Sequence, residues 1–183
     1  QMLEGLDLLL LLDDPAVIPA IAELLRSGPP ANVTDRALDA LAALEHRAAL
    51  DVLVEFTNHR RPAARRRAYL AISVIPSRDR PALLEGCLSD SDRTIRGLCA
   101  EALGDIGSKQ SLDILFRAFE RGVLEAAISI GKLGDEEHID RFDEYLGQQP
   151  LPVMLKGYDE FLSRRDIARS RKLQIVTGAC EAE

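Results

Sequence analysis

Hydrophobic positions along this chain fall at helical spacing, in short blocks that break at regular intervals. The stretch from Asp90 to Gly107 shows the pattern most clearly. Asp90-Ser91-Asp92 reads as a loop with a capping acid. Ile95, Cys99, Ala102, Leu103 and Ile106 form one stripe of a 3.6-residue helix, and a glycine follows as a stop. The same arrangement recurs up and down the chain. Aligning each first helix on its last strong apolar residue gives anchors at Leu12, Leu44, Ile75, Ile106, Leu133 and Phe161, spaced 32, 31, 31, 27 and 28 residues apart. A period near 30 with two helices per unit predicts an all-α fold, an α-solenoid of about six antiparallel helix pairs forming a superhelix.

The units fall at about 1–30, 31–61, 62–90, 91–121, 122–149 and 150–183, within a single repeat domain, 1–183. In the first, a helix from Met2 to Leu12 is followed by Asp13-Asp14-Pro15, which caps a second helix burying Ile18, Ile21, Ala22 and Leu25. Ser27-Gly28-Pro29-Pro30 breaks the chain. Thr34 is the expected N-cap of unit two, whose stripe is Ala37, Leu38, Leu41 and Leu44, with Leu50, Leu53, Val54 and Phe56 on its second helix. Unit three carries Ala64, Ala68, Ala71, Ile72 and Ile75 and stops at Pro76, because the residue before a proline avoids the α region. Unit five is compressed, with Gly134-Asp135 ending its first helix. The segment from Ser170, with Leu173, Ile175, Val176 and Ala179, reads either as the second helix of unit six or as the first of a seventh. The chain opens on Gln1 and its last element is short, so a piece of a longer protein is expected.

Leu88-Ser89-Asp90, Ile95-Arg96 and Ala102-Leu103-Gly104-Asp105-Ile106-Gly107 together resemble the HEAT-like repeats of the bilin-lyase type. That pattern reads L-x-D, a short gap, V-R, then A-L-G-x-I-G. Unit five repeats its tail as Ala127-Ile128 and Ile130-Gly131-Lys132-Leu133-Gly134, whereas unit three keeps Ala64-Arg65 and Ile72 but has Ser73 and Pro76 in place of the glycines. The resemblance implies scaffolding or regulated protein binding. A minority of the wider family handles bilins or binds nucleic acid, and neither activity transfers here by residue.

Charge is mixed, with 23 basic against 30 acidic residues and a net charge of −7, which disfavours nonspecific nucleic-acid binding as the main role. Aromatics are 4% of the chain, so alanine and leucine are expected to pack the helices closely. The three cysteines, Cys87, Cys99 and Cys180, read as reduced core residues, which favours a cytoplasmic protein. Leu8 to Leu12 is far too short an apolar run to span a bilayer, and no membrane contact is expected.

Two charged sets are candidates for function. Counting from the first stripe residue of each second helix, the next position holds Pro19, Asp51, Glu85, Asp113 and Asp140, acidic in four of five, and four residues beyond that come Glu23, Glu55, Ser89, Arg117 and Glu144, of which the acids Glu55 and Glu144 join the candidate set. These positions lie about 100° and 140° from the stripe and point away from the core. In HEAT-like solenoids the second helices line the concave face, so the set predicts an acidic stripe for a partner protein, a basic peptide or helix, bound without catalysis. The opposing reading is an ordinary solvated helix face. The second set is Arg60, Arg61, Arg65, Arg66 and Arg67, a possible basic patch for phosphate or nucleic acid. Here the plainer reading pairs Arg65 with acids such as Asp90 or Asp92.

A bilin or small-molecule lyase-like role is the remaining alternative. His46, His59 and His138 sit near turns with no partner at metal-ligand spacing, so no metal is expected. Gly104 and Gly131 fail the phosphate-loop spacing and read as helix stops. No nucleophile motif is present, so neither enzymatic activity nor a cofactor is expected.

Overall fold

A computed structural model describes residues 2–11 and 14–163. The fold is all-α, with helices α1 (Met2–Leu11), α2 (Ile18–Arg26), α3 (Ala31–Ala43), α4 (Leu50–Thr57), α5 (Pro62–Val74), α6 (Arg80–Cys87), α7 (Arg93–Ile106), α8 (Leu112–Glu120), α9 (Ala126–Leu133), α10 (Glu136–Asp143) and α11 (Leu151–Ser163). These are stacked helix pairs of the α-solenoid class, as the 30-residue period predicts. The apolar segment beyond Ser170 lies outside the described residues. The chain folds as two compact units, residues 1–99 and 100–183, divided within α7.

In the first unit α3 packs between α1 and α5, and α5 in turn contacts α4 and α6. Ala37, Ala40, Ala64, Ala68 and Ala71 are fully buried, and Leu38, Leu41, Leu53, Ile72 and Ile75 fill the spaces between them. Alanine at the crossing points lets backbones approach while keeping helix propensity high. Ile75 is extended, with φ −75° and ψ 120°, where the chain turns into Pro76. Thr34 is not the N-cap: α3 starts three residues earlier, directly after Pro30, and the Thr34 hydroxyl donates back to the carbonyls of Pro29 and Pro30, each at 3.3 Å. On α4 the inward face carries Val52, Leu53 and Phe56, while Leu50 and Val54 are half-exposed.

Cys87 and Cys99 are not free thiols. They form a disulfide that joins α6 to α7, with Cα atoms 6.1 Å apart and both residues buried. Two cysteines on facing apolar stripes are brought together by the packing of successive repeats, which their separate positions in sequence do not reveal. The ground for a cytoplasmic placement is therefore removed. Among the described residues no helix is long and apolar enough to cross a membrane.

The second unit is packed differently. Phe116, Phe119, Phe142 and Phe161 are fully buried. Phe119 and Phe142 stack at 5.5 Å, and Phe142 meets Tyr158 edge-on at 5.2 Å. Glycines inside its helices are points of close approach. A Cβ on Gly104 would collide with Ser129, whose hydroxyl donates to the carbonyl of Ala100 at 2.7 Å. A Cβ on Gly131 would collide with the Gly157 carbonyl, and one on Gly157 would lie 2.5 Å from the Phe142 ring. Gly104 and Gly131 are thus contact residues within α7 and α9 rather than stops. The stops are Gly107, at φ +79°, and Gly134, which follows α9.

Gly131→Ala and Gly157→Ala are each expected to destabilise the fold by about 1–3 kcal/mol through overpacking, measured by chemical denaturation. Reducing the Cys87–Cys99 bond, which closes a loop of 12 residues, is expected to cost about 2–3 kcal/mol, read as a lower unfolding midpoint in reductant.

Candidate interaction surface

The proposed acidic positions lie on second helices or, for Glu144, directly after one, and the structure places most of them in solvent. Asp51 and Glu55 on α4, Asp113 on α8 and Asp140 on α10 are exposed, as is Glu144 just after α10; Glu85 on α6 is half-buried. Their availability differs. Arg26 on α2 donates to Glu55 through Nε at 3.1 Å and through Nη2 at 2.5 Å. Arg141 on α10 donates to Asp113 at 2.7 Å and lies 4.1 Å over the Phe116 ring. These hydrogen bonds hold the Glu55 and Asp113 carboxyls below the usual carboxylate range. Both are exposed ion pairs, a class that contributes little to stability. Glu55 and Asp113 thus present neutralised pairs, while Asp51 and Glu144 accept no hydrogen bond at their side chains among the described residues.

The arginine cluster is largely committed elsewhere. Arg61 donates to both oxygens of Asp35 at 3.0 Å, and Arg67 to those of Asp39 at 2.9 and 3.1 Å. Arg65 forms the tightest arrangement, donating through Nε and Nη2 to the two Asp90 oxygens at 2.8 Å. Its side chain is 12% exposed and that of Asp90 6%. Asp90 also accepts from the Asp92 backbone N–H at 2.8 Å, and Arg96 donates to the Asp90 carbonyl at 2.7 Å. The Arg65 hydrogen bonds, helped by that backbone donor, hold the Asp90 carboxyl below the usual range despite its burial. Only Arg60 and Arg66 of the cluster are exposed without a hydrogen-bond partner among the described residues.

The three histidines share a structural task. Through Nδ1, His46 accepts from the Ala48 N–H at 3.2 Å, His59 from the Arg61 N–H at 3.1 Å and His138 from the Asp135 N–H at 3.1 Å. Each closes a turn next to a helix start, and His138 with Asp135 completes a capping box. Among the described residues no cluster of His, Cys, Asp or Glu is arranged to hold a metal.

Sequence reading missed the partners rather than the positions. Asp7–Arg36, Asp35–Arg61, Asp39–Arg67, Asp105–Lys132 and Asp113–Arg141 are each separated by 26 to 29 residues, one repeat. A search for opposite charges spaced by one period would have found them.

Residues 18–96 match the family model of HEAT repeats. Residues 18–96 carry HEAT-like repeats. The match runs from the start of α2 to the first turn of α7, takes in the Asp35–Arg61 and Asp39–Arg67 ion pairs, and does not address the bilin-lyase subtype. No curated protein matches the chain. HEAT repeats are generally protein-interaction scaffolds and generally non-enzymatic.

Asp90→Asn is expected to destabilise the protein by about 3 kcal/mol at neutral pH by leaving the Arg65 charge poorly paired. A carboxyl with a depressed folded pKa stabilises above its unfolded pKa, and that contribution is lost as pH falls through the folded value. The gap between wild type and Asp90→Asn should therefore narrow on acidification, measured by denaturant unfolding from pH 7 downward.

Proposed function

We propose that this protein is a non-enzymatic scaffold whose second helices receive a basic segment of a partner protein. The observation that carries the reading is the outward display of carboxylates at one helical position within each unit, Asp51 in the first and Asp113 and Asp140, with Glu144 beside the last, in the second. Exposed carboxylates of this kind steer a cationic partner, while a few seated side chains supply the affinity. Glu55 and Asp113 contribute less, since Arg26 and Arg141 already neutralise them. Glu85, half-buried on α6, belongs to the same set.

The nucleic-acid alternative loses most of its basis, because three of its five arginines are bound to Asp35, Asp39 and Asp90. A lyase-like role has no thiol at Cys87, which is held in the disulfide.

Charge reversal at Asp51, Asp140 and Glu144 is expected to abolish salt-sensitive capture of a partner in pull-downs at low and high salt. Capture unchanged by the triple variant would discard the acidic-face reading.

A further inference from the structure

Arginine usage in the first unit is uneven. Arg26, Arg36, Arg61, Arg65 and Arg67 are each bonded to a carboxylate. Arg80 and Arg96 donate to the backbone carbonyls of Ser73 and Asp90. Arg47 and Arg78 are exposed and, among the described residues, have neither a hydrogen-bond nor an ion-pair partner. Yet these two are not scattered. Arg47 opens the turn between α3 and α4, and Arg78 lies in the loop between α5 and α6, so both come from the turn within a repeat, in successive repeats. They line one cleft of about 610 Å³ together with Pro76, Ser77 and Asp79.

We propose that this cleft binds a phosphate monoester. Two guanidinium groups from separate loops can grip one phosphate from two sides, each with a planar fork of donors. Ser77 adds a hydroxyl, which already accepts from the Asp79 N–H at 3.2 Å and keeps its own proton to donate. Asp79 is the N-cap residue of α6, and its side chain makes no capping bond, so the positive end of that helix dipole borders the cleft uncapped. Asp79 also places one carboxylate in the lining, opposing the anion. The balance of two cations against one acid suits a single compact anion. A nucleic-acid strand needs a row of cations. The other arginines of the first unit without a hydrogen-bond or ion-pair partner among the described residues are Arg60 and Arg66, around the start of α5, and Arg93, at the start of α7; none of them lines the cleft. The volume accommodates a phosphorylated side chain with its neighbours as readily as free phosphate, and the two sources share the same recognition chemistry. The cleft is lined by residues that the acidic-face reading does not use, so the failure of either reading leaves the other intact.

The test is an NMR titration of the full chain with inorganic phosphate, with a phosphoserine peptide and its unphosphorylated form, and with single-stranded DNA. Saturable shifts at Arg47, Ser77 and Arg78 are expected with phosphate or with the phosphopeptide, and the tighter of the two identifies the source. Arg47→Ala and Arg78→Ala should each weaken binding about tenfold, Asp79→Asn should tighten it, and Arg66→Ala should leave it unchanged. Circular dichroism confirms that each variant is folded. Absence of saturation, indifference to Arg47→Ala and Arg78→Ala, or DNA binding that depends equally on Arg60 and Arg66 would overturn the proposal.

Discussion

A helix pair of this length cannot bury both of its faces by itself, and everything else in the molecule follows from how the next pair covers the exposed one. Contacts that matter therefore reach one repeat along the chain. In the first unit they join α1 to α3 and α3 to α5 through alanine-lined crossings, with Asp7–Arg36, Asp35–Arg61 and Asp39–Arg67 bridging the same helices at the edge. In the second unit the Ser129 hydroxyl reaches the Ala100 carbonyl 29 residues back, and the Gln149 amide reaches the Phe119 carbonyl 30 residues back. Each repeat borrows its neighbour to satisfy polar groups as well as apolar area.

This arrangement decides which surface charges are available to a partner. An acid or arginine whose opposite number lies one period away is drawn into the repeat-to-repeat edge, and Asp113, Glu55, Arg61 and Arg67 have gone that way. The charges left over define the surface a ligand meets. On the second helices these include Asp51 and Glu144, and in the loops Arg47 and Arg78. An arginine-rich run therefore says little about anion binding until its acids are located, and the dense run near Arg65 is chiefly structural. Arg65 with Asp90 is the clearest instance: a nearly buried pair that ties the start of α5 to the loop before α7.

The two glycines of the A-L-G-x-I-G pattern perform separate tasks. Gly104 and Gly131 are helical and give backbone access to the following repeat, while Gly107 and Gly134 end the helices. From sequence the inner glycine looks like a break, because glycine is poor in helices. Close approach to Ser129 and Gly157 outweighs that local preference. In the same way, the cysteines at positions 87 and 99 look like ordinary small core residues until the facing stripes of α6 and α7 meet.

By itself the sequence determined the class of fold, the pairing of helices and the outward placement of the second-helix acids, since these depend on local periodicity and on glycine and proline breaks read within one repeat. Only the tertiary structure decided that Cys87 bonds to Cys99, that Thr34 lies inside α3, that His46, His59 and His138 are turn-closing acceptors, and that Arg47 and Arg78 share a cleft. Those outcomes depend on which residue one repeat away arrives at hydrogen-bonding distance, and a periodic pattern repeated many times offers several candidates. Packing chooses among them, and with that choice it sets which charges remain free to act.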